Sequence, residues 1–263
     1  MVNYIHAECY KAFRRKYFYG FLMTVLGLAA AFMVLLRVEG LRETQTAEGM
    51  IMIQRVSVSE LLGILAQLLS AGLYFLMIAA DIVFSDQYKH NTLKNEVSYG
   101  LTRSRIYLGK LVSSALVAGV LCLILLGGYL VFSCILFPLG DGAGEGFQAF
   151  GRWLLMAFPL WMGGLGLFML LQFVMKNTAA TITYVMIVGF LGSGFIDLFT
   201  AFLPSLNPVA DAVRTISLNT PFTLLMRGRT PEELMGYAWA LGMGWLAVTT
   251  GVGLVWFQKK EIS

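Results

Sequence analysis

Six apolar runs set the fold of this 263-residue chain. They cover residues 17–36, 60–84, 106–137, 153–175, 179–203 and 235–257. A helix needs about 20 apolar residues to cross ~30 Å of hydrocarbon, so each run is long enough to span a bilayer. With 58% hydrophobic and 13% charged residues, the chain departs from both a soluble domain and a disordered one. The expected fold is all-α: one polytopic membrane domain over residues 1–263 with six transmembrane helices. The third run is too long for a perpendicular crossing. It is expected to tilt, to bend near Gly127 and Gly128, or to project beyond the bilayer. Ser57-Val58-Ser59-Glu60 has the pattern of a capping box ahead of the second run. Thr230-Pro231 can start the sixth, with Thr as N-cap and Pro in the first turn. The first run is too long for the apolar region of a cleavable signal peptide and lacks a small-residue cleavage site.

Basic residues orient the spans, because Lys and Arg concentrate on the cytoplasmic side. With the N-terminus inside, twelve of the nineteen Lys and Arg residues face the cytoplasm and seven face out. Four carboxylates then lie inside and nine outside. Both termini are expected in the cytoplasm. The formal charge of +4 therefore reads as a topology signal and not as a nucleic-acid surface.

Cys9, Cys122 and Cys134 form no metal-ligand spacing, and the last two lie too far apart on one helix to bond. Asp81 and Asp197 are the only charged residues counted inside the runs. Each falls about 27–31 Å along its helix, at an interface and not at mid-bilayer. Without a deep carboxylate, ion-driven transport has no obvious carrier, and the lining suits an apolar or amphipathic substrate. Glycine clusters at 163–166, 192–194, 242–244 and 251–253 fit close helix packing; a second reading is helices that slide to open a path. Pro159 can add a kink to the fourth span. Gly109-Lys110 lacks the upstream glycine of a phosphate-binding loop, and the run 140–146 reads as a flexible external turn.

The remaining segments carry more specific patterns. Residues 1–16 place Val2, Ile5, Cys9, Ala12 and Phe13 on one helical face, and Glu8, Lys11, Arg14 and Arg15 largely on the other. This is an amphipathic helix expected to lie at the cytoplasmic interface in contact with membrane lipid. The loop 85–105 places Lys89, Leu93 and Val97 on one face of a short helix. Gly100 is suited to end that helix in a left-handed conformation, and Thr102 can cap the next. In the outer segment 204–234, a short helix from Asn207-Pro208 through Leu218 is expected. The apolar stretch 220–226 after it is too short to span and can re-enter the outer leaflet or cover an exit. Met50 to Ile53 in the first outer loop can join that cap.

Phe84-Ser85-Asp86, Thr92-Leu93-Lys94-Asn95, Ser98-Tyr99-Gly100, Arg103, Arg105, Ile106-Tyr107 and Lys110 together resemble the ABC-2 type permeases, the membrane subunits of type V ABC exporters. The resemblance extends along the whole chain. It is strongest to bacitracin-resistance, lantibiotic-immunity and phenol-soluble-modulin exporter permeases. It implies that Asn91, Thr92, Leu93, Lys94, Asn95, Glu96, Val97, Ser98 and Tyr99 form a coupling helix that docks on a separate ATP-binding subunit. ATP and magnesium would belong to that subunit, with no cofactor, metal or catalytic residue in this chain. It further implies a bacterial plasma membrane location, a second permease copy or paralogue, and an amphipathic or antimicrobial-type peptide as cargo. Two other readings stand beside it: a non-transporting peptide immunity or sensor module, and an exporter of another hydrophobic cargo such as a lipid or a small antibiotic.

Overall fold

The computed structural model describes residues 1–45, 56–84, 92–140, 142–175, 180–185 and 207–259, with residues 177, 196, 198, 200–203 and 205 besides. Among these, every regular element is helical. In chain order they are α1 (Val2–Phe13), α2 (Lys16–Gln45), α3 (Val58–Gln67), α4 (Gly72–Phe84), α5 (Thr92–Ser98), α6 (Arg103–Leu136), α7 (Ala143–Met175), α8 (Asn207–Ile216), α9 (Thr220–Met226) and α10 (Pro231–Lys259). Five segments are long and apolar enough to cross a bilayer: α2, α3 with α4, α6, α7 and α10. The chain is thus an all-α, multi-pass membrane protein. Of the fifth run, residues 180–185 are helical, and most of 186–206, including Asp197, lies outside the described residues. So do Met50 to Ile53.

Several boundaries follow local chemistry. The Ser57 hydroxyl accepts from the Glu60 amide (3.4 Å) while the Glu60 carboxylate accepts from the Ser57 amide (3.0 Å), a complete capping box at the start of α3. Thr230 precedes α10 and accepts from the Glu233 amide at 3.5 Å. The third run is one continuous 34-residue helix, about 51 Å long at 1.5 Å per residue, with no break at Gly127 or Gly128. Gly128 instead admits Leu26 of α2, whose methyl group would lie 2.6 Å from a Cβ there. The run 140–146 is not a turn throughout. Gly140 and Gly142 adopt positive φ (77° and 79°), and α7 already begins at Ala143. Helix α8 ends at Ile216, two residues before the expected Leu218.

The second span is not one helix. A 3-10 turn, Leu68–Ala71, separates α3 from α4 near mid-span. Such a turn disturbs the carbonyl ladder, and hydrocarbon offers no replacement donors. The indole Nε1 of Trp161 on α7 donates to the Leu69 carbonyl at 3.0 Å. Gly72 makes room for that ring, since a Cβ there would lie 2.5 Å from it. Loss of the donor in Trp161→Phe is expected to cost about 1–3 kcal/mol, the usual penalty for orphaning one buried polar group. Thermal unfolding in detergent measures this, and unchanged stability would show that the bond contributes nothing.

The glycine clusters divide. Gly163 packs on the Gly242 carbonyl, 2.7 Å from where its Cβ would lie, and Gly166 on the Thr249 hydroxyl at 2.6 Å. A Cβ at Gly242 would overlap the Pro159 carbonyl group. Helices α7 and α10 are therefore in backbone contact at this crossing. Pro159 lies inside α7, which continues through it. Gly244 and Gly251 face open space, so small size has no packing role there within this chain.

The two ends of the bundle differ. At one end lie α1, the ends of α4, α7 and α10, and the start of α6. Phe173 meets Phe84 edge-on there, and Tyr107 and Phe257 at tilted angles, with centroid distances of 4.8, 4.7 and 4.6 Å. At the other end the Val58 amide donates to Pro138 O at 3.0 Å, and Arg152 pairs with Glu232 at 3.0 Å. The segment with α8 and α9 leads into the start of α10 at this second end. Leu218 comes within 3.9 Å of a Cβ position on Gly164, level with the α7–α10 crossing.

Candidate functional site

Helix α5 is short, and its ends are set by backbone chemistry. Gly100 takes φ 86°, a left-handed conformation that costs glycine little, and its amide donates to Val97 O at 3.0 Å. The Leu101 amide reaches back to Glu96 O at 3.3 Å, which completes a glycine-terminated C-cap. Thr102 occupies the N-cap position of α6 in an extended conformation, but its side chain makes no capping hydrogen bond. Asn91 and Lys89 lie outside the described residues, and for Thr92 and Leu93 only the backbone belongs to them.

The two sides of α5 face different surroundings. Lys94, Asn95, Ser98 and Tyr99 are exposed, with Tyr99 at 88%. Val97 is partly buried against the core of the bundle. Glu96 points the same way and joins a charge cluster that connects three helices.

Lys110 of α6 is the centre of that cluster, with 0% exposure. Its Nζ lies 3.1 Å from Glu8 Oε2 of α1 and 3.5 Å from Glu96 Oε1 of α5. Glu8 also pairs with Lys11 at 2.6 Å. Tyr4 of α1 donates its hydroxyl to Glu96 Oε2 at 2.8 Å, and its ring lies over Gly109, where a Cβ would come within 2.5 Å. The ammonium group lies 5.6 Å from the ring centres of both Tyr4 and Phe84. Two carboxylates and two ammonium groups thus balance in a site closed by aromatic rings.

Burial alone would raise the Glu8 pKa. The adjacent Lys110 and Lys11 outweigh it and hold this carboxyl below the ordinary carboxylate range. Burial, together with the Glu8 and Glu96 charges, pushes the Tyr4 phenol up, so it remains a neutral donor to Glu96. Glu8 is where the sequence pattern and the structure part. The pattern puts it on the polar face of α1, yet it is 1% exposed because its partner lies on another helix. Val2, assigned to the apolar face, is 78% exposed.

Sequence reasoning missed Tyr4, Glu8 and Lys110 as one site. The available signal was Lys110 itself, a lone cation inside an apolar run and preceded by Gly109. Arg103, next along from α5, donates to Gln258 O at 2.7 Å and Phe257 O at 3.4 Å, and Gln258 Nε2 donates to Ser104 at 2.9 Å. Among the described residues no group of three or more His, Cys, Asp or Glu side chains is placed to hold a metal ion. The arrangement suits mechanical connection: one side of a short helix is anchored into the spans and the other is presented outward.

A family model described as ABC-2 family transporter protein matches residues 4–192, more than two thirds of the chain. That match runs from Tyr4 in α1 through α7 and includes all of the cluster. No curated protein matches the chain.

Proposed function

The chain belongs to the ABC-2 transporter family, and from that premise we propose that α5 is the surface on which a separate ATP-hydrolysing subunit docks. The protein is an ABC transporter permease, and family membership implies an ABC ATPase partner. The finer reading is an exporter. ATP binding closes the ATPases, α5 is displaced, and Glu96, Lys110 and Glu8 carry the displacement into α6 and α1. Nucleotide and magnesium belong to the partner. The Lys and Arg bias favours a cytoplasmic α1 end, and the resemblance to the ABC-2 permeases favours a bacterial plasma membrane. Two permease chains, identical or paralogous, complete the path, and the cargo is an amphipathic peptide.

The observation that carries this reading is the two-sidedness of α5: Glu96 and Val97 turned into the bundle, Lys94, Asn95, Ser98 and Tyr99 turned outward. A solvent-exposed aromatic residue directly after such a helix, Tyr99, fits a hot spot for a protein partner. Lys94→Asp combined with Tyr99→Ala is expected to lower the ATPase that copurifies with the permease, and ATP-driven peptide uptake into inverted vesicles, by at least tenfold. Each side chain is exposed, so the bundle retains its melting temperature. Wild-type copurification and uptake in the double variant would refute docking through α5. Peptide binding without ATP-dependent uptake in the intact complex would favour the sensor reading instead.

A further inference from the structure

We infer that α10 is the strut linking the α5 end of the bundle to the segment with α8 and α9 at the other end, with Arg103 and Trp245 as the positioning residues of its two joints. The inference rests on the permease reading and concerns what lies beyond the docking surface.

Both joints have the same chemistry. The last carbonyls of a helix lack partners within it, and a donor from a neighbouring helix can satisfy them. At the α5 end the last turn of α10 meets this need through Arg103, which donates to Phe257 O and Gln258 O at 3.4 and 2.7 Å. A cation at a helix C-terminus is also favoured by the helix dipole. Arg103 opens α6, three residues beyond Gly100, so a displaced α5 pulls on it directly.

At the other joint the roles are reversed, and α10 supplies the donors. Trp245 Nε1 donates to Ile216 O at 2.7 Å, and the Tyr237 hydroxyl donates to Thr215 O. These are the final carbonyls of α8. Leu218, just beyond, sits level with the α7–α10 crossing, away from the bundle end. Movement of α10 without α8 would break both bonds, so α8 follows α10. The backbone contact of Gly163 with Gly242 makes α7 and α10 move as one body, which keeps the strut stiff between its joints.

The test uses the complete permease–ATPase complex in lipid nanodiscs, where a charged maleimide reaches both faces. Cys9, Cys122 and Cys134 are replaced by Ala, and the exposed Ala212 of α8 is changed to Cys as reporter. MgATP with vanadate is expected to change the labelling rate at least threefold. Trp245→Phe, which lacks the N–H donor, and Arg103→Gln, which lacks the fork, are each expected to abolish that response while the ATPase stays bound. A purely structural role would change the basal rate and leave the nucleotide response. The two variants lie at opposite ends, so a folding defect in one leaves the other informative. A nucleotide response of wild-type size in both variants overturns the strut and leaves the permease reading intact. No response in the reporter with the ATPase bound also overturns the strut. Failure of any ATPase to copurify with the intact chain overturns the permease reading itself.

Discussion

Lys110→Met is expected to destabilise the protein by about 3–5 kcal/mol, the usual cost of removing one partner from a buried ion pair. The methionine fills most of the volume, so the loss is electrostatic. Glu8, 1% exposed, would lose the Lys110 charge and keep Lys11, and Glu96 would lose that charge and keep the Tyr4 hydroxyl. The double variant Glu8→Gln with Lys110→Met is expected to recover much of the loss, because one orphaned charge disappears with its partner. Thermal unfolding in detergent checks both, and a loss below about 1 kcal/mol for the single variant would refute the cluster as a structural joint. The pH dependence has a definite sign. Glu8 is held below its ordinary value in the folded state, so its contribution is complete above the ordinary carboxylate range. It is lost as pH falls through the depressed value. Wild-type stability should drop in that acid window, and Glu8→Gln should flatten the drop.

Gly242→Val is the second large effect. Its Cβ would overlap the Pro159 carbonyl, which is backbone and has no rotamer to change. The helices must move apart, and the neighbouring contacts of Gly163 and Gly166 open with them. Overpacking ordinarily costs about 1–3 kcal/mol where side chains can adjust, and here they cannot, so the cost is expected above that range. The readout is the yield of folded protein in the membrane. Gly244→Val is the control: it sits two residues away on the same helix, with nothing within 4 Å of its Cβ position. Equal yields for the two variants would disprove the close α7–α10 crossing.

Five of the six apolar runs are long apolar helical segments in the structure, because lipid demands long apolar surface, and most of the remaining run, 179–203, lies outside the described residues. Ser57 with Glu60 and Gly100 were readable because capping acts over a few residues. What stayed hidden depends on partners distant in sequence. Glu8 looked solvent-facing since its counter-ion is 102 residues away. The break at Leu68–Ala71 carries no proline to announce it, and its compensating donor, Trp161, belongs to another span. Lys110 was counted among the charges of the loop, although it stands inside the apolar run and anchors α1 and α5 together.

The bond between Trp161 and Leu69 also restricts how this chain can change. The interruption in the second span and the indole that satisfies it are two halves of one device. Losing the tryptophan first strands a carbonyl in hydrocarbon, while straightening the span first pushes backbone into a ring already seated against Gly72. Neither single step is neutral. A lineage that altered one would have to alter the other almost at once, so the substitutions open to residues 69, 72 and 161 are linked, although two of them lie about 90 positions from the third in the chain.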